Sequence, residues 1–141
     1  MNTIANGWDA SAAYLAIAAT ALSAISLVSL HQLSPEFAPS WRMVSEYANG
    51  RFSWLLAIVF GGWAISSFAL LAALWPLSTN RLGAIGLLFL ALAGVGQTMG
   101  AMFDIRHPLH GPAAMIGIPS LCVAAVLVTR ALTRLGVDSP P

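Results

Sequence analysis

Charged residues are scarce in this sequence, and lysine is absent altogether. Only 8% of the 141 residues are charged, whereas a soluble domain usually has about 25%. All six cations are arginines, and the formal net charge is +1. Nucleic-acid binding calls for a concentrated basic surface, so we expect no nucleic-acid partner.

Cysteine is almost absent as well. The single residue, Cys122, excludes an internal disulfide and any zinc site built from several thiolates. A lone cysteine inside an apolar run usually packs as a small apolar side chain, and we assign Cys122 no chemistry.

Apolar residues are abundant instead, at 58% of the chain. They form four long runs, at residues 10–30, 52–75, 82–103 and 113–132. Each has about 20 residues, enough to cross a hydrocarbon layer of about 30 Å as a helix. Backbone groups cannot stay unpaired in lipid, and the runs are too long and too uniform for barrel strands. We therefore predict an all-α, polytopic transmembrane four-helix bundle that forms one domain over residues 1–141.

Four spans fix which loops share a side of the membrane. Both termini and the turn at 76–81 lie on one side, here called the terminal side. The connections 31–51 and 104–112 lie on the other, the loop side. The arginines divide equally between the two sides, so the positive-inside rule does not decide the orientation. The smaller number of acids on the terminal side favours cytoplasmic termini, in a prokaryotic inner membrane.

The long connection 31–51 contains the pattern of a short interfacial helix. Ser40 has the chemistry of an N-cap and Gly50 that of a helix stop, so we predict a helix over 40–49. Arg42 and Glu46 would then form an i,i+4 ion pair. Such a helix would either cover a site at the mouth of the bundle or serve only as a connector.

The third run carries the features of a helix–helix contact. Gly96 and Gly100 form a GxxxG pair, which allows close backbone approach between membrane helices. Gln97 is the only amide inside a predicted span, and its spacing places it on one helical stripe with Gly100 and Asp104. Gln97 would either make an interhelical hydrogen bond or form the floor of a polar cavity beneath Asp104.

Polar side chains concentrate on the loop side. Asp104, His107 and His110 lie within seven residues of one another, and Pro108 breaks the helix between them, so they occupy a turn. The candidate catalytic residues are Glu46, Asp104, His107 and His110. The candidate cofactor-binding residues are Gln97 and His31.

Axial haem ligation by a histidine is disfavoured, because all three histidines lie at span ends rather than facing one another in the middle of the membrane. Three other interpretations of this polar face are open. Imidazole and carboxylate ligands would suit zinc or iron, with Glu46, Asp104 and a histidine as the ligand set. Alternatively, Asp104 would orient an imidazole that moves a proton at the membrane surface. In the third interpretation the charges pair locally and the histidines cap helix ends. The sequence identifies neither a metal nor a cofactor.

Short motifs resemble those of a known family. Ser45-Glu46-Tyr47 precedes a span, Gly100 to Asp104 ends a later one, and Leu109-His110-Gly111 opens the next. This order resembles the bacterial and archaeal integral-membrane family called domain of unknown function 998, over roughly residues 30–126. The resemblance implies Glu46, Asp104 and His110 as residues of interest, and it implies no reaction.

Two functions follow from these observations. The abundance of small residues exceeds what four helices can bury among themselves, which favours an accessory or structural subunit. Such a subunit would pack with other membrane proteins or with copies of itself, or would bind lipid or pigment. The alternative is a stand-alone membrane-embedded enzyme, or a protein that binds a ligand or metal through the polar face.

Overall fold

The computed structural model describes residues 9–136, which form four long α-helices and no strand. The helices are α1 (Ala10–Leu33), α2 (Ser53–Ala73), α3 (Arg81–Met102) and α4 (His110–Arg134). All four are long and apolar enough to cross a membrane. The prediction of an all-α fold with four spans is confirmed, and the chain is a small membrane protein.

Two helices extend beyond their predicted ends on the loop side. α1 continues past residue 30 to Leu33, where the Ser34 N–H donates to the Leu30 carbonyl at 2.9 Å. Pro35 follows and disfavours further helix. α4 begins at His110 rather than at residue 113. Pro112 therefore lies inside its first turn, where a missing N–H costs nothing.

The helix predicted over 40–49 is shorter and of another type. A 3₁₀ helix, here called the loop helix, covers Val44–Asn49, and Met43 is its N-cap. The prediction of Ser40 as the cap is wrong, because the N–H groups of Trp41 and Arg42 both turn back to the Ala38 carbonyl. The Met43 N–H instead donates to Glu46 Oε1 at 3.0 Å.

The helices pack in chain order. α1 packs on α2, α2 on α3, and α3 on α4, and no other pair of the four helices makes an extensive contact. α2 and α3 are therefore inner helices, while α1 and α4 are outer helices. Each outer helix has one face against its neighbour, and within residues 9–136 no other long helix covers the rest of its surface.

Small residues permit the close contacts between neighbouring helices. A Cβ added to Gly96 of α3 would lie 2.5 Å from Gly117 Cα of α4 and 2.7 Å from the Ala113 oxygen. A Cβ on Gly100 would instead meet the Phe60 ring of α2, at 3.4 Å. The predicted GxxxG pair thus does not act as one motif, because its two glycines face different neighbours.

The connection between α1 and α2 is folded onto the helices rather than loose. Its buried residues join an apolar cluster on the loop side, formed by Leu30, Phe37, Tyr47, Leu55, Leu56 and Val59. This loop-side cluster holds the loop helix against the ends of α1 and α2. This packing fixes the position of the loop helix beside the polar side chains of the loop side.

Candidate functional site

The turn between α3 and α4 places Asp104 outside the predicted helical stripe. α3 ends at Met102, and Phe103 is extended, with φ −115° and ψ 110°. Asp104 is exposed and accepts hydrogen bonds from Arg106, at 2.9 Å from the backbone N and 3.0 Å from Nη2. The prediction that Asp104 continues the stripe of Gln97 is wrong, because the helix stops first.

Arg106 also sets the acidity of Asp104. Hydrogen bonds from the Arg106 side chain, and then from its backbone, hold the pKa of Asp104 below its ordinary value of 3.8. The ionised form is therefore favoured by local contacts. Asp104 is bonded to this arginine and not to an imidazole.

We expect Arg106→Gln to raise the pKa of Asp104 toward 3.8, measured by NMR titration of the carboxyl carbon. Since the folded-state pKa is depressed, the pair contributes stability above the ordinary pKa, and that contribution is lost as pH falls through the folded-state value. Arg42→Gln, which removes the partner of Glu46 instead, should leave Asp104 unchanged. An unaltered Asp104 titration in Arg106→Gln would contradict this account.

The two histidines of the turn face different partners. His110 Nδ1 lies 2.9 Å from the Phe103 oxygen, and a carbonyl only accepts, so Nδ1 donates. A neutral His110 therefore presents Nε2 as an acceptor. His107 Nδ1 accepts from the Leu109 N–H at 3.2 Å. The His107 ring stacks on the Phe103 ring, with 4.4 Å between the ring centroids. His107 thus stiffens the turn, while His110 keeps one nitrogen available.

His31 belongs to a separate network under the loop helix. Its Nδ1 lies 2.5 Å from the Tyr47 hydroxyl, which donates to the Phe37 oxygen at 3.0 Å. The single hydroxyl proton is thereby used, so His31 Nδ1 is the donor to Tyr47. Burial, and then the charge of Glu36, raise the pKa of Tyr47 above 10.0. This network holds the connection against α1.

Glu46 is also engaged within its own loop. One oxygen accepts from the Met43 N–H, and the other pairs with Arg42 Nε at 2.8 Å. The predicted i,i+4 ion pair is confirmed. Both oxygens of Glu46 therefore have partners that stabilise the loop helix.

Of the two roles considered for Gln97, the interhelical hydrogen bond is the one that the structure shows. Ser67 Oγ of α2 donates to Gln97 Oε1 of α3 at 2.7 Å, and both residues are buried. Within the described residues, no buried side-chain nitrogen or oxygen lacks a hydrogen-bond partner. Gln97 joins α2 to α3 and is not among the residues that line the cavity beside Asp104 and His110.

A cavity of about 270 Å³ opens on the loop side between the first turn of α2 and the end of α3. Its polar wall comprises Ser53, Trp54, Asp104, Arg106 and His110. Its remaining wall is largely formed by small and apolar residues, namely Ala48, Leu56, Ala57, Gly100, Ala101 and Met102.

Of the six predicted site residues, the cavity brings together only Asp104 and His110. Ser53, Trp54 and Arg106 complete its polar wall and were not predicted as site residues. Ser53 and Trp54 directly follow Arg51-Phe52 at the start of a span, and this polar and aromatic beginning was the available signal.

The geometry limits what this face can do chemically. Over residues 9–136, no group of three histidine, cysteine, aspartate or glutamate side chains could hold a metal ion. The proton-transfer interpretation required Asp104 beside an imidazole, but the Phe103 carbonyl orients His110 instead. What the cavity offers is hydrogen bonding, through the Ser53 hydroxyl, the Arg106 guanidinium and one His110 nitrogen, next to an apolar wall.

No protein-family model matches the chain, and neither a curated protein nor a solved structure matches it. The resemblance to domain of unknown function 998 therefore stays a prediction, carried by the motifs around Glu46, Asp104 and His110.

Proposed function

We propose that this small membrane protein is an accessory or structural subunit that packs laterally against other membrane helices. The observation that carries the proposal is the two-sided pattern of its outer helices. One side of α1 is buried against α2 and uses small residues at alternating spacings of three and four. These residues are Ala16, Ala19, Ser23 and Ser26, followed by Leu30.

The opposite side of α1 repeats the same spacing without a partner. Its members are all exposed and comprise Tyr14, Ala18, Ala21, Ile25 and Val28. We call this set the α1 outer stripe. Alternation of three and four is the spacing at which a helix presents one seam to a neighbouring helix. A face that meets only lipid does not need small residues, whereas a helix contact in a membrane benefits from them, and Ala18 and Ala21 are the small members of this face.

α4 repeats the arrangement at the other end of the row. Its buried side includes Ala113, Gly117, Ser120 and Ala124. Its exposed side carries Met115, Ile118, Cys122, Ala125 and Thr129, again at spacings of three and four. The two outer helices therefore each offer a second seam, as expected for a unit that fits between neighbours. We also propose that both termini are cytoplasmic, because the terminal side carries fewer acids than the loop side.

The proposal is tested by enlarging the α1 outer stripe. We expect Ala18→Leu combined with Ala21→Leu to lower the fraction of protein in a complex about tenfold, because overfilling a packed contact costs about 1–3 kcal/mol. Native mass measurement after gentle detergent extraction reports that fraction. Ala24→Leu, at another exposed alanine that lies off the stripe, is the control.

Two results would count against the subunit role. The first is a wild-type protein that is monomeric and without partners in mild detergent. The second is an equal response of the complex to the stripe variant and to Ala24→Leu.

The cavity favours a second candidate, a stand-alone protein that binds a small amphipathic ligand. Its hydrogen-bonding groups and small-residue wall suit a molecule with a polar head and a compact apolar body. Ala101→Leu would fill this space, since Ala101 lines it. A co-purifying small molecule that is present in wild type and absent in Ala101→Leu would support this candidate, and its absence from wild type would contradict it.

A further inference from the structure

Three arginines lie at the terminal-side end of the α3–α4 pair. Arg81 is the first residue of α3, and Arg130 and Arg134 lie in the last turns of α4. The helices are antiparallel, and a Cβ added to Gly86 would lie 3.1 Å from Val128 N. The Gly86–Val128 contact marks one level along the two helix axes. At a rise of about 1.5 Å per residue, all three arginines lie beyond it toward the terminal side, Arg81 by about 7.5 Å, Arg130 by about 3 Å and Arg134 by about 9 Å. All three are exposed.

The orientation of α4 brings its two arginines toward α3. Leu127 faces α3, because its Cβ would lie 3.2 Å from a Cβ on Gly86. Arg134 follows Leu127 by seven residues, so the two share nearly the same helical direction. Arg130 is on the same side, one turn before Arg134. Arg81 lies at the same end of this helix pair, at the start of α3, and we call the three arginines together the α3–α4 basic patch.

Acidic groups do not compensate this patch in the described part of the chain. The ion pairs of residues 9–136 are Arg42–Glu46 and Arg106–Asp104, both on the loop side. Asp9 is the acid described on the terminal side, where it caps α1 by accepting from the Ala12 N–H at 3.1 Å. α1 packs on α2 and not on the α3–α4 pair. Asp138 lies outside the described residues, and one acid still leaves an excess of positive charge.

Two features of the patch are unfavourable without an anion. Arg130 and Arg134 are like charges at i,i+4, a spacing that destabilises a helix. Arg81 lies at the positive end of the α3 dipole, which disfavours a cation, and the first turn of α3 contains no acid. A negative group bound between the helix ends would relieve both.

The depth of the patch identifies the anion. Trp75 lies just before Arg81, in the turn between α2 and α3, and is 63% exposed. Exposed tryptophan at the end of a span marks the headgroup level of a bilayer. Phosphate is the anionic group that phospholipids carry at that level, and arginine binds phosphate through several N–H donors at once. In phosphatidylglycerol, unlike phosphatidylcholine, no choline cation offsets the phosphate charge.

We propose that Arg81, Arg130 and Arg134 bind the phosphate groups of anionic phospholipids in the terminal-side leaflet. This site goes beyond the proposed subunit role and does not depend on it, since the arginines lie off the outer stripes. A basic surface between helix ends at the headgroup level is the arrangement that retains anionic lipid.

The test compares phosphatidylglycerol with phosphatidylcholine, each added to the full-length protein in non-ionic detergent. Native mass spectrometry measures lipid binding. Each arginine near a membrane surface contributes about fivefold in affinity for anionic lipid. We therefore expect the variant with Arg81→Gln, Arg130→Gln and Arg134→Gln to bind phosphatidylglycerol roughly a hundredfold more weakly, with little change for phosphatidylcholine.

Three controls keep the test decisive. Arg51→Gln removes an exposed arginine from the opposite end, where it lies over the Phe52 ring, and should retain the preference for phosphatidylglycerol. Replacement of the three patch arginines by lysine should retain most of it, which separates charge from folding. High salt should weaken the wild-type preference, since exposed charges are screened.

The proposal is overturned if wild type binds both lipids equally, or if the triple glutamine variant keeps its preference. It is also overturned if Arg51→Gln loses as much affinity, or if inorganic phosphate competes as strongly as phosphatidylglycerol binds. A preference that emerges only in Asp138→Asn would show that the chain neutralises the patch itself, and would equally refute lipid binding.

Discussion

Replacing Gly96 with alanine is expected to lower the free energy of unfolding by about 2 kcal/mol, by forcing α3 away from α4. The added Cβ would lie 2.5 Å from Gly117 Cα and 2.7 Å from the Ala113 oxygen. Both are backbone atoms, so no side-chain rotation relieves the overlap, and one helix has to move. Unfolding in mixed micelles with increasing sodium dodecyl sulfate measures the change.

Gly61→Ala is the matched control for this substitution. Gly61 is also in the middle of a helix, but a Cβ there would meet no atom within 4 Å. Alanine favours helix over glycine by about 0.5–1 kcal/mol, so Gly61→Ala should leave stability unchanged or raise it slightly. If the two variants shifted the unfolding midpoint in the same direction and by the same amount, the close contact between α3 and α4 would be refuted.

The second large effect is expected at Tyr47, whose truncation to alanine should cost about 3–4 kcal/mol. Tyr47 is 2% exposed and packs within the loop-side cluster. Its removal would leave a cavity and would also deprive the Phe37 oxygen and His31 Nδ1 of their shared partner. The same unfolding titration, combined with limited proteolysis of the 31–51 connection, measures the loss.

Tyr47→Phe separates packing from hydrogen bonding. It keeps the ring and removes the hydroxyl, so we expect a loss of about 1–1.5 kcal/mol. Trp41→Ala tests the same loop at an aromatic residue that is 82% exposed, and should change stability little. A Tyr47→Ala protein as stable and as protease-resistant as Trp41→Ala would show that the connection is not anchored through this ring.

The four spans could be predicted from the sequence because hydropathy and run length are local quantities. The same locality explains one correct detail of the 31–51 connection. Arg42 and Glu46 are four residues apart, and their ion pair forms within the connection although Arg42 precedes the loop helix. The hydrogen bond of Gln97 is not local, since the sequence left two roles open for this amide and its partner Ser67 was not predictable.

What could not be predicted depends on the lateral order of the helices. The cavity joins Ser53 from the start of α2, Gly100 from the end of α3 and His110 from the start of α4. The residue spacing within one helix does not predict which residues of three different helices lie together. The Ser40 cap failed for a different reason: the Ala38 carbonyl accepts from both Trp41 and Arg42, and this turn delays the helix until Val44.

Packing in chain order has a consequence for how the protein is made. Because α1 contacts mainly α2, and α2 then contacts α3, each helix leaving the ribosome finds its partner already in the membrane. Assembly can proceed one hairpin at a time, with short sequence separation between contacting residues, which favours rapid folding. Since α4 packs on α3 and not on α1 or α2, the polar groups of α1 and α2 do not depend on α4 for their partners. The Ser67–Gln97 hydrogen bond forms as soon as α3 inserts, and α4 then closes over the glycine surface of α3.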